Sequence, residues 1–169
     1  IFAGKMITKR LDRMFKAREI RLARDLKRHA DFAHLSRKKI LVVGSSGLIG
    51  KQLVAFLDTG GHDVWRLVRR KVRSEEKEIS WSPEKGILDA TALEGFDAII
   101  HLGGAGIGDK RWTKKRKKLI EESRVNSTSL LAQTISKLNK KPECFLVASA
   151  MGYYGDRGDE ELDENSSMG

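Results

Sequence analysis

The sequence has few of the residues that mark secreted, metal-binding or membrane-spanning proteins. Cys144 is the only cysteine among 169 residues, so the chain forms no internal disulfide, and nothing indicates an oxidising compartment. The four histidines do not cluster with Cys144 or with carboxylates at the spacing of metal ligands. The apolar runs are only a few residues long, whereas a membrane-spanning helix needs about 20. We therefore expect a cytoplasmic protein without a metal site.

The net charge of +10 is distributed unevenly along the chain. Residues 1–39 contain 13 Lys and Arg against 4 Asp and Glu, whereas residues 40–169 contain 20 against 19. In the basic segment, apolar residues recur at helical intervals, which predicts one amphipathic helix. These residues are Ile7, Leu11, Met14, Phe15, Leu22 and Leu26. We predict that residues 1–38 form a basic linker helix that packs on another domain. Binding to a membrane surface or to nucleic acid is the less favoured alternative.

From Lys39 onward, short apolar runs alternate with segments of helical periodicity. The pattern predicts strands at 39–43, 63–68, about 78–81, 97–102 and 144–148, and helices at 48–59 and about 113–138. Continuous runs such as "ILVV" are typical of strands that are buried on both faces. We therefore predict an α/β fold, a Rossmann-type doubly wound parallel sheet with strand order 3-2-1-4-5, over residues 39–169. Because the chain starts at Ile1 and ends without a closing element, we expect a fragment with an incomplete sheet.

The stretch "ILVVGSSGLIG" at residues 40–50 combines a predicted strand with three regularly spaced glycines. Gly44 allows a sharp turn after the strand, Gly47 allows a ligand to approach the backbone, and Gly50 allows the following helix to pack closely. The helix N-terminus offers free N–H groups to a pyrophosphate. Ser45 and Ser46 add hydroxyl groups for phosphate oxygens. This context predicts a dinucleotide-binding site.

The choice of cofactor is usually made at the end of the second strand. An acidic residue there accepts a hydrogen bond from the ribose of NAD, whereas an arginine pairs with the extra phosphate of NADP. The sequence reads "VWRLVRRKVR", with Arg69 and Arg70 at this place and no acidic residue among them. We predict that NADP is the cofactor rather than NAD, and we favour Arg69 over Arg70 as the phosphate ligand.

Four segments together resemble one branch of a known family: "KILVVGSSGLIG", "LVRR", "DAIIHLGGAGIGDKRWTKKRKKLIEESRV" and "FLVASAMGYYGDRGDE". They are similar to the atypical extended short-chain dehydrogenase/reductases described as nucleoside-diphosphate-sugar epimerases. The basic helix resembles the connector that follows a START/polyketide-cyclase-like module in some members. The resemblance implies a pyrophosphate site and an adenine-ribose site. The first contains Gly44, Ser45, Ser46, Gly47, Leu48 and Ile49, with Arg69 at the 2′-phosphate, and the second contains Leu102, Gly103, Gly104 and Ala105.

The catalytic residues of this superfamily are matched only in part. Its members use a tyrosine with a lysine four residues later and a nearby hydroxyl residue. In this chain Arg157 follows Tyr153 at that distance, and Ala150 stands where the hydroxyl is expected, directly after Ser149. Ser149 and Tyr153 are the candidate catalytic residues. Because the tyrosine and lysine pair is missing, we expect this chain to hold the cofactor without turning over a substrate.

Three functions are weighed. The first is the NADP-binding portion of an epimerase-like oxidoreductase for a sugar nucleotide or another phosphorylated small molecule. The second is an NADP-binding module without catalysis. The third, an adaptor that acts through the basic helix, is less favoured. The basic run "DKRWTKKRKK" is interpreted as a solvated helix face, with attraction of a phosphorylated substrate as the alternative.

Overall fold

Five parallel strands form the sheet at the centre of the molecule. The computed structural model describes residues 2–73 and 76–169. The strands are β1 (Lys39–Val43), β2 (Asp63–Val68), β3 (Glu78–Ser80), β4 (Ala98–His101) and β5 (Cys144–Val147). They lie in the order β3-β2-β1-β4-β5. The parallel sheet and its strand order, both predicted from the sequence, are confirmed.

Three long helices accompany the strands: α1 (Phe2–Asp31), α2 (Leu48–Thr59) and α3 (Lys114–Ser136). Helix α2 connects β1 to β2, and α3 connects β4 to β5, as the crossovers of a parallel sheet require. Short 3₁₀ turns lie at Pro83–Lys85, Thr91–Leu93 and Met151–Tyr154. From Lys39 onward the predicted elements agree with the structure to within one or two residues at each end, whereas the helix predicted over residues 1–38 ends at Asp31.

The central strand of the sheet is buried on both of its faces. Side chains of β1 point alternately to the two sides, because successive residues of a strand face opposite ways. Leu41 and Val43 belong to one core, which α3 covers, and Ile40 and Val42 belong to the other, which α2 covers. All four side chains are at most 6% exposed. The apolar run "ILVV" is therefore explained by a central strand covered by helices on both sides.

Helix α1 contacts the sheet domain near its own C-terminal end. There the imidazole of His29 stacks on Phe56 of α2, with ring centroids 4.3 Å apart, and lies against Gly60. The apolar residues on which the amphipathic helix was predicted are exposed: Ile7, Leu11, Met14, Phe15, Leu22 and Leu26. The helix itself is confirmed. The division at residue 38 and the packing of α1 on another domain stay predictions.

Strand β5 lies at one edge of the sheet and is poorly covered. Leu146 and Val147, which follow each other along the strand, are 54% and 42% exposed. Neighbouring residues of a strand point to opposite faces. Both faces of this edge strand therefore carry exposed apolar side chains, unlike those of β4 beside it.

Candidate functional site

The loops that follow four of the strands meet at one edge of the sheet. Parallel strands bring their carboxyl ends to the same edge, where ligands of doubly wound folds bind. The loop after β1 contains the glycines, the loop after β2 contains Arg69, the loop after β4 contains residues 102–105, and the segment after β5 contains Ser149 and Tyr153. The predicted site residues therefore all follow strand ends at the carboxyl edge.

Gly44 begins a tight turn directly after β1. Its φ of 82° lies in the left-handed region, and the Gly47 N–H donates a 3.0 Å hydrogen bond to the Gly44 carbonyl. A Cβ at Gly44 would lie 2.8 Å from the backbone nitrogen of Gly103. A Cβ at Gly50 would collide with the carbonyl of Gly44. These contacts agree with the sharp turn and the close helix packing that were predicted for Gly44 and Gly50.

The N-terminus of α2 has donors that the protein itself does not use. Gly47 is the N-cap residue and makes no side-chain capping bond, so the first N–H groups of the helix lack an intrahelical acceptor. The Ser45 and Ser46 hydroxyls form no hydrogen bond with the part of the chain that the structure describes. Leu48 and Ile49 are 88% and 68% exposed. The turn is thus open to an anion, as a pyrophosphate site requires.

The two arginines after β2 have different surroundings. Arg69 is exposed and pairs with Glu84 at 3.3 Å across the surface. Arg70 instead donates to both carboxylate oxygens of Glu78, whose side chain is fully buried. These bonds lower the pKa of Glu78 to about 2. Arg70, although 43% exposed, is therefore held by a pair with a buried carboxylate, whereas Arg69 is 69% exposed and makes only a surface pair.

Helix α3 holds the loop after β4 through side-chain hydrogen bonds. The Gly103 N–H donates to Nδ1 of the buried His101 at 3.2 Å, and Nε2 of the same ring lies 2.9 Å from the Ser127 hydroxyl. The Ala105 N–H donates to the Ser123 hydroxyl, and Arg124 donates to the Ala105 carbonyl at 3.1 Å. These contacts fix the backbone of residues 103–105 beside Gly44.

His101 is a neutral component of this network. Burial lowers its pKa, and acceptance of the Gly103 N–H at Nδ1 requires the tautomer with the proton on Nε2. His101, Ser123, Arg124 and Ser127 were not among the site residues predicted from the sequence. The signal that was available is a histidine at the end of the apolar run "AIIH", where a buried polar side chain needs partners.

Ser149 and Tyr153 lie in the segment that follows β5. The segment starts beside the end of β4, because the Ala148 N–H donates to the His101 carbonyl at 2.9 Å. Ser149 is exposed, and Tyr153 is 51% exposed. Arg157, which occupies the position of the usual lysine, donates to the Tyr154 carbonyl and to Ser167. The guanidinium is thus bonded elsewhere than at the Tyr153 hydroxyl.

Two kinds of site are absent from the described ranges 2–73 and 76–169. No group of three or more His, Cys, Asp or Glu side chains is arranged to hold a metal ion. No helix in these ranges combines the length and the apolar character that crossing a membrane requires.

The glycine turn at the start of α2, the strand order and the loops at the carboxyl edge define a Rossmann-type nucleotide-binding fold. A sequence profile of the NAD dependent epimerase/dehydratase family matches residues 40–168. The chain belongs to this family, whose fold and glycine-rich turn are those of short-chain dehydrogenases/reductases.

Relatives of known sequence and structure agree with this assignment. An epimerase family protein of Mycobacterium leprae is 38% identical over 138 residues, which are 81% of this chain and 44% of the relative. The crystal structure of a nucleoside-diphosphate sugar epimerase from Corynebacterium glutamicum is 36% identical, with a TM-score of 0.76, and the match covers 92% of this chain and 33% of that one. The human epimerase family protein SDR39U1 (isoform 2), solved with NADPH, is 30% identical, with a TM-score of 0.66 and coverage of 76% and 42%.

The chain thus spans less than half the length of each of these relatives. The family and the NADPH-bound relative support a nicotinamide dinucleotide as the cofactor of this fold.

Proposed function

We propose that the chain is the NADP-binding portion of an epimerase-like oxidoreductase that acts on a nucleoside diphosphate sugar or a related small molecule. One observation carries the proposal: an uncapped helix N-terminus follows a glycine turn at the switch point between β1 and β4. In doubly wound folds, this point is where a dinucleotide binds. The substrate class is supported by the Corynebacterium glutamicum relative, which is a nucleoside-diphosphate sugar epimerase.

In this proposal each loop at the carboxyl edge binds a different part of the cofactor. The backbone of residues 44–49 and the hydroxyls of Ser45 and Ser46 hold the pyrophosphate, because donors and a positive helix end face it there. Residues 102–105, fixed by α3, lie beside the adenine ribose. This backbone is ordered by bonds within the chain before any ligand arrives, which lowers the entropic cost of binding.

Arg69 is proposed to select NADP over NAD. Its guanidinium is 69% exposed, and its partner Glu84 is similarly exposed, so a phosphate can displace the carboxylate at little cost. A phosphate accepts two parallel hydrogen bonds from a guanidinium, which an unmodified ribose cannot do. The human relative that was solved with NADPH supports this choice.

When bound, the nicotinamide would accept a hydride from a substrate carbon and return it. The chain's own Ser149 and Tyr153 lie after β5, where they are proposed to contact the substrate or the nicotinamide. The Tyr153 hydroxyl is the candidate for moving a proton to or from the substrate oxygen.

A cofactor-binding module without catalysis is the second candidate. The observation in its favour is the bonding of Arg157, which donates to the Tyr154 carbonyl and to Ser167, together with Ala150, which supplies no hydroxyl. The two candidates differ when NADP-loaded protein is mixed with UDP-glucose. A change in the ultraviolet absorbance of the nicotinamide supports the enzyme, and a constant spectrum although UDP-glucose binds supports the module.

The cofactor proposal is tested by calorimetric titration of NADP and NAD into the chain and into an Arg69→Glu variant. We expect tighter binding of NADP than of NAD, and at least tenfold weaker NADP binding in the variant, because a charge-assisted contact is replaced by repulsion. NAD affinity should stay within about twofold. Arg18→Glu, which reverses an exposed charge of α1, is the matched control and should bind NADP normally.

Two results would contradict the proposal in different parts. Equal affinity for NADP and NAD, unchanged by Arg69→Glu, would refute the selectivity assigned to Arg69. Absence of binding of either dinucleotide, by a chain shown to be folded, would overturn the cofactor site itself.

A further inference from the structure

A concentrated positive patch lies directly after the loop that follows β4. Residues 110–118 contain seven Lys and Arg and no Asp or Glu. The rest of residues 40–169 contains 13 Lys and Arg against 19 Asp and Glu, so the positive charge is a local feature. It begins a few residues after Ala105, on the connection from the carboxyl edge of the sheet to α3. We refer to Trp112, Lys114, Lys115 and Lys117 as the basic patch.

One basic residue of the run has a clear structural role. Arg116 is 12% exposed and donates to the Gly106 carbonyl and to the Asp109 carboxylate. These bonds fold the loop 106–109 back onto the first turn of α3. The Trp112 indole N–H adds a 2.8 Å bond to the Ile107 carbonyl. The loop is therefore held by Arg116 and Trp112 without help from the other basic side chains.

The remaining basic residues have no such role. Lys110, Arg111, Lys114 and Lys115 are exposed, and none of them forms an ion pair with another described residue. Lys118 pairs with Glu122 at 3.5 Å. The ammonium of Lys117 lies 5.9 Å from the centroid of the Trp112 ring. The chain thus supplies little negative charge to balance the patch.

The location of this charge is unfavourable for the helix itself. The first turn of α3 contains no acidic residue, although the positive end of a helix dipole favours Asp and Glu there and disfavours Lys. Lys114 and Lys118 are four residues apart and repel each other on one face. Such a departure from local preferences is expected where a bound anion compensates for it.

Trp112 indicates what kind of anion fits. It is 56% exposed, yet its indole is oriented by the bond to Ile107 and flanked by Lys117. An exposed, oriented aromatic ring among lysines is the arrangement that binds a base by stacking and its phosphates by charge. The bond to Ile107 uses only the edge of the indole, so the exposed face of the ring stays free to stack on a base, which a simple phosphate lacks.

We propose that the basic patch binds a nucleoside diphosphate, with the Trp112 ring against the base and the ammonium groups of Lys114, Lys115 and Lys117 on the phosphates. This site is separate from the glycine turn after β1. The inference rests on the proposed function in one respect, since it takes the nucleotide to be that of the substrate.

The test is calorimetric titration of UDP into the chain in the presence of saturating NADPH, which fills the glycine turn. We expect the dissociation constant for UDP to rise at least tenfold in Lys114→Glu/Lys115→Glu and about tenfold in Trp112→Ala. Trp112→Phe keeps a stacking surface without the indole N–H and should restore most of the affinity. Lys140→Glu/Lys141→Glu reverses two exposed charges before β5, at the opposite edge of the sheet, and should leave UDP binding unchanged. Raising the salt concentration should weaken UDP binding, because the contacts are exposed charges.

NADPH titrations of the same variants separate this inference from the proposed function. If NADPH binds all variants alike, the cofactor proposal stands. If UDP then fails to bind, or binds equally well to the variants of the basic patch, the inference is overturned. If UDP binding depends on the patch but NADPH does not bind, the cofactor proposal fails alone. Equal losses of UDP affinity in Trp112→Ala and Trp112→Phe would refute stacking. Tight binding of a single-stranded oligouridylate without binding of UDP would identify a nucleic-acid surface instead.

Discussion

Gly44 lies where the turn after β1 packs against the loop after β4. Two properties make it hard to replace: its φ of 82° and the backbone of Leu102 and Gly103 against its Cα. A side chain at this position would strain the backbone, because its φ is positive. Its Cβ would also collide with the backbone of Leu102 and Gly103. The two costs are separable, because Gly86 shares the first property and has no atom within 4 Å of an added Cβ.

Replacement of these two glycines by alanine measures the close contact. We expect Gly86→Ala to lower the free energy of unfolding by about 1–2 kcal/mol, the cost of a left-handed alanine. Gly44→Ala should cost about 1–3 kcal/mol more, because the loop after β4 must also move. Urea denaturation of both variants checks this. Equal costs would mean that the contact between Gly44 and residues 102–103 is not rigid.

Individual residues could be assigned from the sequence where a pattern is compatible with only one local structure. The glycine spacing after an apolar strand identified the turn, because few other residues tolerate its geometry. The two adjacent arginines looked alike in sequence. Their difference comes from Glu78, eight residues after Arg70, which the fold buries beneath its guanidinium. Such a pair depends on the register of β2 with β3, which the sequence alone does not specify.

At the scale of elements, the bond between Arg70 and Glu78 joins the end of β2 to the start of the edge strand β3. β3 has three residues and, within ranges 2–73 and 76–169, β2 is its one partner strand, so few backbone bonds hold it. The Arg73 N–H also donates to the Glu78 carboxylate, at 3.2 Å. A single buried carboxylate of β3 therefore bonds both to the Arg70 guanidinium and to the backbone of Arg73.

This arrangement predicts a dependence of stability on pH. The pKa of Glu78 is lowered to about 2, below its ordinary value of about 4.3 in an unfolded chain. Its contribution is therefore complete above about pH 5 and is lost as the pH falls toward 2, because the unfolded chain takes up the proton first. Thermal unfolding of Glu78→Gln at pH 7 should occur several degrees lower than in the native chain, and this difference should shrink between pH 5 and pH 3.

Glu84→Gln is the control, since it removes an exposed carboxylate that also faces an arginine. It should leave thermal unfolding almost unchanged at both pH values, as is usual for surface pairs. A pH-independent deficit in Glu78→Gln would mean that the carboxylate acts by shape rather than by charge.

Elements were the most predictable level of this protein. Strands β1, β4 and β5 are short apolar runs bounded by polar residues, and α2 begins where the glycines end. Helix α3 begins one residue later than predicted, because Thr113 caps the helix and so lies outside it. It ends two residues earlier than predicted. The surroundings of the exposed stripe on α1 were not predictable, since an amphipathic pattern indicates that a face is apolar but not what covers it.

At the scale of the whole molecule, the two edges of the sheet differ. β3 is short and bordered by ion pairs, both of which discourage further pairing. β5 carries exposed Leu146 and Val147 on opposite faces, and its outer backbone groups have no strand beside them in the described structure. An uncovered apolar edge of a parallel sheet is a surface for association.

We therefore expect a chain of these 169 residues to self-associate as its concentration rises. Leu146→Lys places a charge on the edge and should shift sedimentation velocity profiles toward the monomer, whereas Leu119→Lys, an equally apolar and exposed change on α3, should not. A monomer at all concentrations in the native chain would contradict the prediction.

The pairing of β1 with two strands of different separation along the chain also implies an order of folding. Lys39 pairs with Asp63, and only α2 lies between these strands along the chain. Ile40 pairs with Ala98, and the chain between them also contains β2, β3 and two 3₁₀ turns. Closing the shorter loop costs less chain entropy, so the β1–α2–β2 unit has the advantage as a nucleus. The glycine turn then takes shape early, and the loop after β4 docks against Gly44 late, which makes that docking a step at which the rate of folding can be limited.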